Sequence, residues 1–141
     1  MMKNNLLADD MSGTTEEAKA FLEKAVKYLE KNGNEKAFKQ FRNQNGEFII
    51  KDLYIFAFKT NGICLVHPYK PHWEATNKID LKVRGIEIIK KFVDALEKKK
   101  KGEIVTVEYK WQKPGERKLR TKISYLVKVN KDTFLGCGAY K

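Results

Sequence analysis

The sequence predicts an α+β domain: a five-stranded antiparallel sheet with a long N-terminal helix. Three observations carry this. A capped amphipathic stretch opens at Thr14, two alternating runs flank an Asn61-Gly62 turn, and three more alternating runs fill the last third of the chain. At 141 residues the chain has the length of one domain with a real core, expected over residues 14–141 behind a flexible leader at residues 1–13.

The first helix starts at a capping box. Thr14 and Glu17 are placed so that each side chain satisfies a free backbone N–H of the first turn. Ala18, Phe21, Leu22, Ala25, Val26 and Leu29 then form one apolar stripe, and Asn32-Gly33 ends it because glycine adopts the left-handed C-terminal conformation without strain. A short second helix fits Glu35 to Asn43, with Ala37, Phe38 and Phe41 inward. From Asp52 to Lys59, Leu53, Ile55 and Ala57 alternate with Tyr54, Phe56 and Phe58. Both faces are apolar, so this strand is expected to be central and covered on both sides. Asn61-Gly62 signals a type I′ hairpin turn into a strand at Ile63 to His67.

Pro68 to Val83 has no period and reads as a long ordered loop, a kind of segment that often carries function. A third helix is expected from about Gly85 to Lys99, with Ile86, Ile89, Phe92, Val93 and Leu96 on one face. Val105, Val107, Tyr109 and Trp111 share a face of the next strand, and Pro114-Gly115 turns the chain. Leu119, Thr121, Ile123, Tyr125, Val127 and Val129 alternate along the fourth strand. The last strand, Thr133 to Tyr140, contains Gly136 and Gly138, which mark a bulge or a close approach by another group.

The formal net charge of +11 is compatible with a lysine-solvated surface, or with binding to anions, nucleic acid or membrane. The nucleic-acid alternative draws on Tyr109-Lys110-Trp111 and the run from Arg117 to Lys122, but no RNP motif, helix-turn-helix or GXXG loop accompanies them. Cys64 and Cys137 form no CxxC or Cys/His cluster, so neither a metal nor any other cofactor is expected. No run of eighteen apolar residues is present, and Met1 to Ser12 lacks the apolar core of a signal peptide. With two histidines, His67 and His72, and no glycine-rich phosphate loop, the sequence offers no enzyme constellation.

Several tags in order resemble the single Cache domain family of bacterial sensors over roughly residues 15 to 141. They are Tyr28-Leu29-Glu30-Lys31-Asn32-Gly33, Lys36-Ala37-Phe38, Asp52-Leu53-Tyr54-Ile55-Phe56, and His67-Pro68 with Pro71 and Asn77 behind it. Tyr109-Lys110-Trp111 with Pro114, Lys122-Ile123-Ser124-Tyr125, and Gly136-Cys137-Gly138-Ala139-Tyr140 complete the series. Two departures fall in the loop. Glu74-Ala75 stands where the family commonly has a glycine, and Lys82-Val83-Arg84-Gly85 where it tends to have an Asp-x-Asp-Gly turn. The resemblance implies a PAS-like fold and a periplasmic or extracellular domain that binds a small organic acid of the acetate, propionate, pyruvate or lactate class. It further implies a membrane-bound signalling partner and no nucleic acid. The family's flanking transmembrane helices are not in this sequence, so a stand-alone or excised sensor domain is expected.

The candidate ligand-binding residues are His67, Tyr109, Trp111 and Lys122, with Tyr54, Phe56 and Tyr125 as further wall. His67 is either a strand-end ring capping a backbone group or a donor at a pocket mouth. Tyr109 and Trp111 are core aromatics, or an apolar wall whose polar ends seek a partner. Lys122 lies on the face opposite Ile123 and Tyr125. It is either solvated or buried, and burial demands an anion to offset its desolvation. These groups are expected to converge on a small enclosed pocket between the sheet and the Pro68–Val83 loop. In the PAS-like order the strands of Cys64 and Cys137 flank the first strand. They then stand about two strand spacings apart, roughly 9–10 Å, too far for a disulfide.

Overall fold

A computed structural model describes residues 12–141. The leader expected at residues 1–13 lies mostly outside the described residues. Of its last two, Gly13 donates its N–H to Asp52 Oδ1 at 2.7 Å.

Helix α1 (Thr15–Asn32) begins at the expected capping box: Thr14 Oγ1 accepts the Glu17 N–H, and Glu17 Oε1 accepts the Thr14 N–H, both at 3.0 Å. Gly33 ends it at φ 85°, and α2 (Asn34–Arg42) follows directly. Five strands then form one antiparallel sheet: β3 (Phe56–Lys59), β4 (Cys64–Val66), β7 (Ile104–Gln112), β8 (Leu119–Asn130) and β9 (Thr133–Tyr140). Their spatial order is β4-β3-β9-β8-β7, so the first strand of the sheet lies beside the last.

The run expected as one strand from Asp52 to Lys59 breaks at Ile55. Its first part, β2 (Leu53–Tyr54), pairs with β1 (Ile49–Ile50) in a separate two-stranded ribbon, while β3 enters the main sheet. Tyr54 therefore belongs to the ribbon and Trp111 to the sheet, where one shared sheet was expected. The alternation of sides survives the break. Leu53, Ile55 and Ala57 face α1 and α2, whereas Tyr54, Phe56 and Phe58 face the other layer. Both sides of β3 are covered, as two apolar faces require.

The β3–β4 turn sits at Asn61-Gly62, but it is not type I′. Only Gly62 has positive φ, at 100°, and the Lys59 N–H donates to the Ile63 carbonyl across a three-residue loop. A Cβ at Gly62 would meet Asn77 Oδ1 at 2.6 Å, so the turn leaves room for the following loop to fold back. That loop pairs with the edge strand: the Cys64 N–H donates to the Thr76 carbonyl and the Ala75 N–H to the Cys64 carbonyl, both at 2.9 Å. A 3₁₀ turn at Pro71–Trp73 drives Trp73 into the core.

Helix α3 (Ile88–Leu96) starts three residues later than expected. Arg84 and Gly85 adopt φ of 52° and 80°, closing a tight turn between β5 (Lys82–Val83) and β6 (Ile86–Glu87). Ile86 is therefore 51 % exposed on a ribbon instead of buried on the helix, while Ile88, Ile89, Phe92 and Leu96 face the sheet. The domain thus has three layers: α1 and α2, the sheet, then α3 with the Trp73 loop.

Cys64 and Cys137 are free thiols on strands that flank β3, one packed toward each layer. Burial pushes both thiols up to about 12, so they stay protonated at neutral pH.

The two strand glycines mark close approaches. A Cβ at Gly136 would overlap the Phe56 ring and lie 2.9 Å from Leu126 Cδ2, and one at Gly138 would meet Lys122 Cε at 2.7 Å. Gly136→Ala should therefore destabilise the domain by about 1–3 kcal/mol through overpacking, read from the midpoint of urea unfolding. An unchanged midpoint would mean that the Phe56 ring moves aside freely.

Candidate ligand-binding site

The register of β8 decides which of its side chains meet the site. Lys122 is paired with Tyr109 on β7 and Tyr140 on β9, so it stands in the middle of the sheet, and its side chain is 1 % exposed. Its Nζ donates to Tyr54 Oη at 3.0 Å. The ammonium lies 4.4 Å from the Tyr54 ring centroid, 5.2 Å from that of Tyr140 and 6.0 Å from that of Phe56. Among the described residues no carboxylate lies within 4.0 Å of it. Cation–π attraction and one phenol oxygen thus replace the water that burial removed.

His67 follows β4 and is 3 % exposed. Burial first, then the neighbouring Lys122 charge, lowers its pKa from 6.5 to about 3, so the ring is neutral. Nδ1 accepts the Tyr69 N–H at 3.3 Å, which leaves the ring proton on Nε2, 3.5 Å from Tyr54 Oη. Trp111 also interacts with the Tyr54 hydroxyl, and its ring centroid lies 6.4 Å from that of His67. Burial holds the Tyr54 hydroxyl protonated. The cluster therefore combines an ammonium, two ring N–H groups and a phenolic O–H, and its acceptor is the Tyr54 oxygen.

A cavity of about 420 Å³ opens beside this cluster. Tyr54, His67 and Trp111 form its inner end. One side is the loop after β4, through Trp73, Leu81 and Val83. The other is the β7–β8 turn from Lys113 to Gly115, with Leu119. The turn was not anticipated as a wall, and nothing in its sequence distinguishes it from an exposed hairpin end. Lys113 is anchored by Asp52, Nζ to Oδ2 3.2 Å, across a break of sixty-odd residues that no local pattern could announce.

The other candidates separate by depth. Lys122 does not line the cavity, but its ammonium contacts Tyr54, which does. Phe56 and Tyr109 lie in the packed floor beneath it, around a void of about 10 Å³, and the Tyr109 hydroxyl bonds Ser124 Oγ at 2.6 Å. Tyr125 is a correction. It packs with the α1–α2 layer on the opposite face, because regular alternation continues through β8 with no bulge at that point. His72 is exposed.

Several of the groups named for a nucleic-acid surface are committed elsewhere. Tyr109 and Trp111 are buried in the core, and Arg120 pairs with Glu116 at 3.4 Å. Among the described residues no group of three or more His, Cys, Asp or Glu side chains could hold a metal, and no helix is long and apolar enough to cross a membrane.

A cavity that ends on a cluster of donors gathered around one phenol oxygen has the character of a small-molecule binding site, and comparison with known proteins agrees with that class. The model of the family described as single Cache domain 2 matches residues 3–141, and the chain belongs to this family of sensor domains. A solved structure described as the structural basis for carboxylic acid recognition by a Cache chemosensory domain superposes with a TM-score of 0.72. It is 21 % identical, and the match covers 89 % of this chain and 92 % of that one. A methyl-accepting chemotaxis protein from Vibrio parahaemolyticus RIMD 2210633 is similar at a TM-score of 0.71 and 27 % identity, over 89 % and 86 % of the two chains. A periplasmic sensor domain of a chemotaxis protein is similar at 0.64 and 18 %, over 89 % of each. No curated protein matches the sequence significantly.

The low pKa of His67 has a consequence for stability. Between pH 6.5 and about 3 the unfolded chain binds a proton that the folded site refuses, so this contribution is complete above pH 6.5 and is lost as pH falls. Per pH unit the loss is on the order of 1 kcal/mol. His67→Gln should lose less stability than wild type between pH 7 and pH 5 in urea titrations. Parallel losses would show that His67 protonates freely in the fold.

Proposed function

We propose that this domain is an extracytoplasmic sensor that binds an organic carboxylate at the Tyr54–His67–Trp111 end of the cavity. The observation that carries the reading is the donor excess there. Three donor groups from neighbouring side chains gather around one phenol oxygen, whose own O–H is a fourth donor. A carboxylate brings the missing acceptor lone pairs and the negative charge, and accepts the Tyr54 O–H and the two ring N–H groups.

Lys122 acts one layer back. By donating to Tyr54 Oη it turns the phenol proton outward, and its charge stabilises an anion held on that proton. His67 must be neutral for its role: its Nε2–H donates while Nδ1 is fixed by the backbone of Tyr69. Acetate, propionate, pyruvate and lactate are the simplest acids with the required group. The family, and the likeness to a periplasmic sensor domain, support a location outside the cytoplasm and a membrane-bound signalling partner that reads the bound state.

The test is Lys122→Met, which keeps an unbranched apolar stem and removes the ammonium. Propionate affinity by titration calorimetry should fall roughly 10- to 150-fold, the effect of a charge-assisted hydrogen bond of about 1.5–3 kcal/mol. The fold should survive with an equal or higher unfolding midpoint without ligand, since the buried charge is no longer there to be desolvated. Propionate binding at wild-type strength in a folded Lys122→Met protein would place the anion elsewhere.

A further inference from the structure

Beyond the carboxylate itself, the cavity carries information about the rest of the ligand. Its volume is about 420 Å³. At about 30 Å³ per water, a carboxylate and one methyl group fill a small part of that space. Tyr54, His67 and Trp111 supply donors at the inner end, while Leu81, Val83, Pro114 and Leu119 give the outer part an apolar lining beside Lys70 and Lys113. Aromatic rings between the two present both faces and edges. Trp73 and Trp111 stand edge to face at 6.1 Å and 77°, and Tyr54 and Tyr69 at 5.1 Å and 76°. These rings are packed on one another, and a flat ligand ring stacks on the sides they turn to the cavity.

Charge narrows the class further. The cavity wall includes Lys70 and Lys113 and, among the described residues, no aspartate or glutamate. Asp52, which pairs with Lys113, lies outside that wall. An amino acid carries an ammonium next to its carboxylate. In this site that ammonium would sit among the donors of Tyr54, His67 and Trp111, near the Lys122 charge, with no side-chain carboxylate to receive it. The matching acid without the amine meets no such penalty.

We propose that the ligand is a carboxylic acid with an uncharged, ring-sized apolar body, of the aryl-acetic acid class, and that the site rejects the corresponding amino acid. This rests on the carboxylate reading above. The carboxylate sits at the Tyr54–His67–Trp111 end, and the ring lies in the outer part of the cavity against Leu81 and Pro114, its far edge reaching Val83 and Leu119.

Titration calorimetry with acetate, phenylacetate and phenylalanine on the full chain tests it. Phenylacetate should bind at least tenfold tighter than acetate and at least tenfold tighter than phenylalanine. Acetate binding as tightly as phenylacetate, or phenylalanine binding as well, overturns the inference while leaving the carboxylate site standing. Binding by none of the three overturns both. Leu119→Trp, confirmed as folded by circular dichroism, fills the outer part of the cavity and should bring the phenylacetate-to-acetate ratio toward one. A ratio that persists in the folded variant would show that the ring does not reach Leu119.

Discussion

The Lys122 ammonium lies inside the central sheet and donates to Tyr54 Oη, with three aromatic rings around it. Each neighbouring residue answers to that charge. Gly138 on β9 lacks the Cβ that would strike Lys122 Cε. Ser124, two residues along β8, pairs with the Tyr109 hydroxyl at 2.6 Å. His67 stays neutral, through burial and through repulsion by Lys122. A lone charge in this position is an unstable solution by itself, because the desolvation of an ammonium is only partly offset by π faces and one phenol. For the carboxylate proposed as ligand, the same low-polarity surroundings would strengthen the attraction.

The cavity beside this charge is built from two segments held by quite different means. The loop after β4 is fastened to the sheet edge by backbone hydrogen bonds at Cys64 and by Asn77, whose side chain reaches the Asn61 carbonyl at 3.1 Å. The β7–β8 turn is fastened by Lys113 to Asp52, and the other oxygen of Asp52 accepts the Gly13 N–H. One buried carboxylate therefore links the pocket wall to the start of α1. The walls are set by the fold before any ligand is bound, which reduces the ordering cost of binding.

The net charge of the chain bears little on this site. The cations of the surface pair with acids, as Arg42 with Glu74 and Lys51 with Glu17, or extend into solvent, where an exposed ion pair contributes little to stability. The aromatic groups beside basic residues in Tyr109-Lys110-Trp111 alternate sides, so Lys110 is outside and both rings are inside. The pattern that suggested a nucleic-acid surface is the ordinary alternation of an edge strand covered on one face.

Features set by neighbours in sequence were legible in the sequence. The Thr14–Glu17 box, the Gly33 stop and the two-faced run around Phe56 depend on contacts within a few residues or on strict alternation, and each is present. Of His67, Tyr109, Trp111 and Lys122, which resemblance to a family put together, His67 and Trp111 line the cavity, whereas Tyr109 and Lys122 lie behind its wall. What depends on long-range pairing was decided only by the tertiary structure. The strand breaks at Ile55, Ile86 is drawn from the helix onto a ribbon by the Arg84-Gly85 turn, and Tyr125 falls on the far face. Alternation states which residues share a side, but not which layer that side meets. The outer wall at Leu119, the Lys113–Asp52 tie and the depth of Lys122 behind Tyr54 all join segments far apart in the chain. No local preference encodes such distances, because they arise only when the sheet register brings β2, β4, β7 and β8 to one place.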